Sequence, residues 1–300
     1  MKHQNKPVLV VGSIALDWLE MPDGQKGEVI GGSATYFTLA ACKFSPVHVV
    51  GIVGSDFPKR GMALFRKHAA NLDDLQVLEG KTFQWGGRYH EDWENRTTLF
   101  TELGVFERFQ PRLSSANKKI KNVFLANIQP TLQLDVLNQI EDPDMVVCDT
   151  MNLWIDIARE SLEGVLERVD VLLVNDSESH LLTGETDPVT AAKEIINMGP
   201  ETVVVKLGKQ GAILVTASNV IRVGAYHVKI VKDPTGAGDS FAGGFVGGLA
   251  SGLSMVEALV AGSSVASFCV EGFGTEGLEG VTMNSIKHRS QMIKEWSLMS

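Results

Sequence analysis

The sequence has few cysteines, no excess of basic residues and no long apolar segment. Its three cysteines lie far apart and form no Cys-x-x-Cys pair, so we expect buried thiols in a reducing compartment rather than a disulfide framework. With 27 basic and 36 acidic residues the formal net charge is −9, which disfavours nucleic acid or a membrane surface as a partner. No run of about 18 apolar residues occurs, so we expect no membrane span. These absences predict a cytoplasmic protein without a nucleic-acid or membrane partner.

Three well-known ligand-binding patterns are missing or incomplete. The phosphate-binding pattern Gly-x-x-x-x-Gly-Lys-Ser/Thr does not occur, which excludes a P-loop enzyme. The segment "HEDWE" at 90–94 lacks the second histidine of a zinc protease, so no zinc site is indicated. The segment "GFGTEG" at 272–277 matches Gly-x-Gly-x-x-Gly, but it follows a helix-like segment rather than a strand. We therefore do not interpret it as a dinucleotide-binding fingerprint.

The sequence does contain short apolar segments rich in valine and isoleucine, separated by helix-like stretches. Segments that are apolar at nearly every position are typical of strands covered on both faces, as in a mostly parallel sheet between two layers of helices. We expect strands at residues 7–12, 47–54, 122–127, 144–149, 170–175, 202–208 and 212–216. Ligands of such sheets bind beyond the carboxyl ends of the strands. The candidate residues at these ends are Gly12, Asn127, Asp149, Asn175 and Gly208. For Asn127 and Asp149, ligand contact and loop capping both stay open.

Two segments interrupt the alternation of strands and helices. Residues of about 15–31 and 82–107 combine aromatic residues, threonine and glycine with turn-like centres, which predicts two β-hairpins. The hairpins could pair as a small second sheet that is discontinuous in sequence. No internal repeat or linker divides the chain, so we expect a single domain over residues 1–300.

The segment "KDPTGAGDSFAGGFVGGLA" at 232–250 carries the most informative pattern. Phe241, Phe245 and Leu249 follow one helical face, so we expect a helix that begins near Asp239. A helix start exposes unpaired N–H groups and the positive end of the dipole, and glycines ahead of it let a phosphate approach closely. Asp239 could simply cap the helix, or it could be a base that accepts the proton of an attacking hydroxyl. The residues alone leave both interpretations open.

The segment "DPTGAGDSFAGGF" closely resembles the C-terminal signature of the PfkB/ribokinase family of carbohydrate and nucleoside kinases. Further landmarks occur in the family's order: "GSIALD" with "IGGSATYFTLAACKF", then "VNDSESHLLTGE" and "VVKLGKQGA". The resemblance spans residues 8 to about 275. It implies a three-layer α/β/α ribokinase-like fold with a mostly parallel central sheet and a small β-sheet lid formed by the two hairpins. It also implies ATP- and Mg²⁺-dependent phosphoryl transfer to a hydroxymethyl group of a sugar or sugar-like acceptor.

The resemblance also implies roles for individual residues. Asp239 would be the catalytic base, and the backbone of Gly236, Ala237 and Gly238 would form the anion hole. Glu178, with Asn175, would organise Mg²⁺ through its waters. The remaining implied roles are acceptor binding for Asp17, Gly31 and Gly32, a border of the nucleotide for Gly208 and Gly211, and a monovalent cation such as K⁺ for Asp233 and Thr235.

Two positions depart from the family pattern. Tyr36 stands about where the family commonly has an asparagine that grips sugar hydroxyls, so Tyr36 could contact the substrate or pack in a helix. Lys206 stands where threonine or serine is frequent. It could contact a nucleotide phosphate, or its amine could reach solvent from the edge of the sheet.

The sequence leaves open two alternative functions and the question of whether the protein is a dimer. The acceptor could be a nucleoside, since the expected lid carries aromatic and basic residues and the asparagine is missing. The chain could be a non-catalytic relative that only binds a sugar or nucleotide, although such a protein would not need Asp239 or Glu178. The lid could also mediate a homodimer, as it often does in the family.

Overall fold

The apolar segments form a large sheet, and the two hairpins form a small one. The computed structural model describes residues 5–93 and 95–297. Within these ranges the strands are β1 (Val8–Val11), β2 (Ala15–Glu20), β3 (Lys26–Gly31), β4 (Val47–Gly54), β5 (Leu75–Leu78), β6 (Phe83–Tyr89), β7 (Arg96–Glu102), β8 (Asn122–Leu125), β9 (Met145–Asp149), β10 (Val171–Asn175), β11 (Thr202–Lys206), β12 (Ala212–Thr216) and β13 (Val220–Val223).

The helices alternate with the strands of the large sheet over much of the chain. They are α1 (Ser33–Ala41), α2 (Lys59–His68), α3 (Pro130–Leu137), α4 (Asn152–Ile157), α5 (Arg159–Leu166), α6 (Asp176–Thr183), α7 (Pro188–Ile196), α8 (Ala237–Ala250), α9 (Met255–Cys269), α10 (Glu276–Glu279) and α11 (Met283–Ser297). Among the described residues, none of these helices combines the length and apolar character needed to cross a membrane.

The large sheet has nine strands in the order β13-β12-β11-β10-β9-β8-β1-β4-β5. It is parallel apart from β12, which pairs antiparallel with both of its neighbours. Alternate residues of each inner strand face opposite layers, as β1 shows: Val8 and Val10 pack toward α1, α8 and α9, whereas Leu9 and Val11 pack toward α3, α5 and α7. These two cores confirm the predicted three-layer α/β/α arrangement.

The small sheet has four strands in the order β3-β2-β6-β7. The strands β2 and β3 are antiparallel, as are β6 and β7, whereas β2 and β6 are parallel. An apolar cluster that includes Leu19, Met21, Val29 and Tyr89 covers one face of this sheet. The strand β7 is an edge strand, and all seven of its residues are exposed.

Helix α8 packs unusually closely on its neighbours because it contains glycines. A Cβ atom on Gly243 would lie 2.5 Å from the Cβ atom of Ala40 in α1, and one on Gly244 would lie 2.9 Å from a carbonyl oxygen in α9. Glycine costs roughly 1 kcal/mol against alanine inside a helix, and here the cost is offset by the close approach of three helices. This packing fixes where the first turn of α8 lies relative to the large sheet.

The structure corrects two details of the predictions. Helix α8 begins at Ala237 rather than near Asp239, because Gly236 adopts a left-handed conformation, with φ of 74°, and becomes the N-cap residue. Lys206 does not lie at a sheet edge, since its strand β11 is hydrogen-bonded between β10 and β12. Strands β5 and β13 were not expected; both are short, and β5 is only partly buried.

Candidate active site

The N-terminus of α8 forms one wall of the candidate site. Two features require glycine at the N-cap position 236. The backbone φ of Gly236 is positive, and a Cβ atom there would lie 2.2 Å from the ring of Tyr36. No side chain of the described chain caps this helix end. Asp239 is the third residue of the helix, where a capping box has its acid, but the N-cap residue Gly236 has no side chain to complete one. The Ala237 N–H donates to the Pro234 carbonyl oxygen at 3.2 Å, and the Asp239 carboxylate accepts from its own backbone N–H. The first turn of α8 therefore presents an acid and backbone donors without a side-chain cap.

Burial and neighbouring charges make Asp239 an unusual carboxyl group. Burial, as the largest cause, and the negative charges of Asp149 and Glu178 together raise the pKa of Asp239 to about 7, against the opposing charge of Lys206. A group with a pKa near neutrality is suited to accept a proton, because a base works best when its pKa lies near the working pH.

Asp149, Asn175 and Lys206 end three adjacent parallel strands, β9, β10 and β11. Lys206 Nζ donates to both carboxylate oxygens of Asp149, at 2.9 and 3.2 Å. Only 16% of the Lys206 side chain and 5% of the Asp149 side chain are exposed. A Cβ atom built on Gly238 would lie 3.4 Å from Lys206 Nζ, so the amine faces the first turn of α8.

Asn175 and Glu178 form a capping box at the start of α6. Asn175 Oδ1 accepts from the Glu178 backbone N–H at 2.8 Å, and Glu178 Oε2 accepts from the Asn175 N–H at 2.7 Å. Burial raises the pKa of Glu178 to about 7; Lys206 lowers it and Asp149 raises it. The predicted cofactor residues are thus brought beside Asp239, with Oε1 of Glu178 outside the capping box.

Asp17 lies at the other wall, on the small sheet. Its carboxylate sits directly on Gly31: a Cβ atom there would be 1.8 Å from Asp17 Oδ2. Burial, as the largest cause, and the negative charges of Asp233 and Asp239 together raise the pKa of Asp17 to about 7, although a hydrogen bond from the Gly32 backbone N–H opposes them. The electrostatic influence of Asp239 on Asp17 shows that the two predicted acids belong to one region.

Asp233 and Thr235 lie in the loop that leads into α8. The fully buried Asp233 carboxylate accepts from the backbone N–H groups of Thr235 and Gly274, both at 2.8 Å. Burial raises the pKa of Asp233. The Thr235 hydroxyl bonds to the hydroxyl of Tyr89 at 3.0 Å, which ties the small sheet to this loop.

Tyr36 is 1% exposed and packs in the core formed by α1, α9 and α10. Its ring packs against Gly236, which favours the interpretation of Tyr36 as a packing residue. Contact between Tyr36 and an acceptor stays a prediction. The Tyr36 hydroxyl is buried and has no hydrogen-bond partner among the described residues.

Gly208 and Gly211 flank the short turn between β11 and β12. Both have positive φ, 55° and 95°, and a Cβ atom on Gly211 would lie 2.0 Å from the Val223 carbonyl oxygen. The turn follows Lys206 directly, but its known contacts are with β13 rather than with the acid cluster. A role next to the nucleotide stays a prediction.

Two contributors to the site were not found from the sequence. Gly274 was noted only as part of an irregular glycine pattern, yet its N–H holds Asp233. Gln133 of α3 donates to the carbonyl oxygens of Ala126 and Asp149, at 3.0 and 3.1 Å, and so joins the carboxyl ends of β8 and β9 to this helix. A glutamine in a helix carries no sequence signal for such a contact.

Comparison with known proteins identifies the family. The sequence matches the profile of the "pfkB family carbohydrate kinase" over residues 6–279. It is 29% identical over 256 residues to a cytidine kinase of Thermococcus kodakarensis, covering 83% of this chain and 91% of the relative. It is 35% identical over 238 residues to an uncharacterized sugar kinase of Archaeoglobus fulgidus, covering 76% and 93%.

The fold also matches solved structures. A putative ribokinase II from E. coli, solved in complex with ATP and Mg²⁺, superposes with a TM-score of 0.82 at 19% identity, covering 96% of this chain and 99% of that one. The resemblance expected from the motifs is confirmed over nearly the whole chain, together with the ribokinase-like fold and the class of enzyme. The chain belongs to the pfkB family of carbohydrate kinases.

Proposed function

We propose that the protein transfers the γ-phosphoryl group of ATP to a hydroxymethyl group of a sugar or sugar-like acceptor, with Asp239 as the base. The observation that carries this proposal is the position of Asp239, in the uncapped first turn of α8 and next to Lys206. An acceptor hydroxyl held between Asp17 and Asp239 can lose its proton to Asp239 while its oxygen attacks the γ-phosphorus. The bond from the γ-phosphorus to the oxygen that bridges it to the β-phosphate breaks, and ADP leaves.

Charge stabilisation comes from the same helix end. Phosphoryl transfer has a loose transition state with charge on the equatorial oxygens, so positioning and electrostatics account for most of the catalysis. The backbone N–H groups of Gly236, Ala237 and Gly238 are the donors we assign to these oxygens. Lys206 contacts a nucleotide phosphate, and Gly208 and Gly211 border the nucleotide.

The acid cluster fits Mg²⁺ bound through water. Glu178 is buried, carries a raised pKa and keeps Oε1 outside its capping box, which suits a hard cation that prefers oxygen ligands. Mg²⁺ held there by Glu178 and Asn175 through water would neutralise part of the charge of the phosphates. Both ATP and Mg²⁺ are bound in the E. coli structural relative.

A monovalent cation such as K⁺ is also part of the proposal. Asp233 is fully buried with a raised pKa, and the Tyr36 hydroxyl nearby has no partner among the described residues. Burial is the main cause of the raised pKa of the Tyr36 hydroxyl, and the negative charge of Asp233 is the next, so the two groups are close enough to interact electrostatically. A cation there would stabilise the loop that carries Gly236.

A nucleoside is the second candidate for the acceptor. Trp85 and Tyr89 lie with Asp17 on the side of the small sheet that faces α8, since Asp17 pairs with Trp85 and Tyr89 reaches Thr235. Aromatic faces stack on bases, and the cytidine kinase relative acts on a nucleoside by name. The hydroxymethyl group of the ribose would then be phosphorylated.

We further propose that the small sheet is a lid within a single domain, and that it pairs two copies of the chain. Trp18, Leu99 and Phe100 are large apolar side chains on this sheet and are each more than a third exposed. Sedimentation at micromolar concentration tests the pairing, which a monomer would contradict. The three free cysteines are compatible with a cytoplasmic location.

The first experiment measures ADP release with Mg²⁺ and ATP across hexoses, pentoses, sugar phosphates and nucleosides. We expect turnover with one class of acceptor and a loss of about 1,000-fold or more in Asp239→Ala, since a general base and its position both disappear. Full turnover by Asp239→Ala would contradict the assigned base. A protein that binds ATP but phosphorylates no acceptor would favour the non-catalytic alternative.

A further inference from the structure

The ion pair between Asp149 and Lys206 is the feature that the assigned roles leave unexplained. We propose that Asp149 is a positioning residue, which holds Lys206 Nζ against the first turn of α8 so that the amine contacts the phosphoryl group being transferred. This inference rests on the proposed kinase activity. The inference adds to that activity a role for Asp149, and it assigns Lys206 to the phosphoryl group being transferred rather than to the nucleotide in general.

The geometry shows that Lys206 is held rather than free. Its amine reaches across the end of β10 to a carboxylate on β9, with both oxygens within 3.2 Å. Asp149 is oriented in turn: its Oδ1 accepts from the Thr150 backbone N–H at 2.9 Å, and its carbonyl oxygen accepts from Gln133. Each partner is therefore fixed by a buried strand end.

The amine lies beside a helix end that by itself disfavours a cation, and neighbouring acids offset that effect. The N-terminus of a helix carries partial positive charge and disfavours a nearby cation. Lys206 Nζ nevertheless faces Gly238, in the first turn of α8. Burial opposes the charge on Lys206, but Asp149 and Glu178 outweigh it and raise its pKa, so the amine stays protonated. Two sources of positive charge thus converge on one point, where a phosphoryl group would be stabilised by both.

Fold stability alone does not account for the pair. A buried ion pair gains little over apolar residues of similar size, because both charges must be desolvated. The neighbouring strand end, Asn175, satisfies its polar groups locally through a capping box, without any ion pair. The Asp149 carboxylate instead accepts a hydrogen bond from Lys206, 57 residues away, whose amine faces the first turn of α8.

The role of Asp149 depends on Lys206, which gives a test by double mutation. Without the Asp149 carboxylate, the amine has two other acids to turn toward, Glu178 and Asp239, both of which affect its pKa. We expect Lys206→Met to lower kcat about 100-fold, similar to the loss of one transition-state donor. Asp149→Asn should lower kcat about tenfold or more, with KM for ATP changed less than threefold. Because the charge of Asp149 also raises the pKa of Asp239, kcat is compared at its high-pH plateau, where the base is ionised in each variant. There the double variant should resemble Lys206→Met, because the remaining effect of Asp149 acts through the lysine.

A matched control lies at the opposite end of the same strand. Asp144 precedes β9 and pairs with Lys6 at 2.7 Å. The Lys6 backbone N–H donates to the carbonyl oxygen of Ala250, so this pair lies at the C-terminal end of α8, opposite to the first turn. Asp144→Asn removes a carboxylate partner from a lysine in the same way, and we expect kcat to stay within twofold of the unmodified protein.

A binding measurement separates this inference from the proposed function. MgADP with aluminium fluoride, which mimics the transferred phosphoryl group, is titrated against MgADP alone. We expect Lys206→Met and Asp149→Asn each to weaken the aluminium fluoride complex about tenfold or more while binding of MgADP alone is unchanged. This readout needs no acceptor, so it stands even if no acceptor in the panel is phosphorylated.

Three outcomes would overturn the role of Asp149. One is an Asp149→Asn protein with unaltered kcat and aluminium fluoride binding. Another is a double variant whose loss is the product of the two single losses. The third is equal weakening of MgADP alone. If Asp149→Asn is poorly folded because it leaves Lys206 buried without a partner, Asp149→Asn/Lys206→Met removes both charges. Its aluminium fluoride binding is then compared with that of Lys206→Met, and any further weakening contradicts the proposal.

Discussion

The large and small sheets are covered in different ways, and each contributes one wall of the site. The inner strands of the large sheet are buried on both faces, and Val8 to Val11 of β1 are fully buried. In the small sheet, by contrast, the edge strand β7 is exposed throughout. The residues to which we assign phosphoryl transfer therefore lie at the carboxyl end of a sheet buried on both faces, whereas Asp17 and its glycines lie on a sheet with one covered face.

This difference separates two kinds of variant. Changes at the ends of β9 to β11 or in α8 should impair phosphoryl transfer to any acceptor. Changes in the small sheet should impair the binding and orientation of the acceptor and leave ATP binding intact. Of the four predictions that follow, three test this separation.

The largest effect is expected from Gly31→Ala on the small sheet. The new Cβ atom would lie 1.8 Å from Asp17 Oδ2, so the carboxylate has to move. A displacement of about 1 Å at a reacting group can cost about 100-fold, and we expect that loss in kcat/KM for the acceptor. The dissociation constant for ATP, measured by calorimetry, should be unchanged.

Gly27→Ala provides the control in the same strand. A Cβ atom on Gly27 would meet nothing closer than 3.7 Å, the ring of Phe273. We expect near-normal kinetics. Equal losses in the two variants would mean that β3 tolerates no side chain, and that the contact with Asp17 is not the cause.

An intermediate effect is expected from pH. Burial raises the pKa of both Asp17 and Asp239 to about 7, and the base must be ionised to accept a proton. The kcat/KM for the acceptor should fall about tenfold or more from pH 8 to pH 6, because it reports groups of the free enzyme. The kcat/KM for ATP at saturating acceptor should fall less steeply, because Asp17 is then already engaged. Parallel profiles would contradict the separation of the two walls.

The stability of the unliganded protein should change in the opposite direction. The folded protein keeps protons on Asp17 and Asp239 at pH values where the unfolded chain, with a carboxyl pKa of 3.8, has released them. Their contribution to stability is complete below about pH 4 and is lost as the pH rises to about 7. The melting temperature in EDTA should therefore fall between pH 5 and pH 8, and less so in Asp239→Asn. An identical fall in the variant would exclude Asp239 as a source.

The sequence predicted local elements far better than contacts between distant residues. Segments such as 144–149 and 170–175 lie within one residue of β9 and β10, because continuous apolar runs have a direct physical meaning. The capping box of Asn175 and Glu178 is also local, but the sequence analysis identified these two residues through the family resemblance and not as a helix cap. The partner of Lys206 was not predictable, because 57 residues separate it from Asp149 and only the order of the strands brings them together.

The smallest effect is expected at the hydrogen bond that joins the two walls. The Tyr89 hydroxyl of β6 lies 3.0 Å from the Thr235 hydroxyl, one residue before the N-cap of α8. Such a bond contributes about 1 kcal/mol net, so Tyr89→Phe should lower kcat/KM about fivefold. Thr97→Val is the control, because Thr97 bonds to His90 within the small sheet. If the small sheet merely covers the site, both variants should behave alike. If closing the sheet also sets the loop before α8, Tyr89→Phe should lower kcat as well as raise KM for the acceptor, and Thr97→Val should change neither.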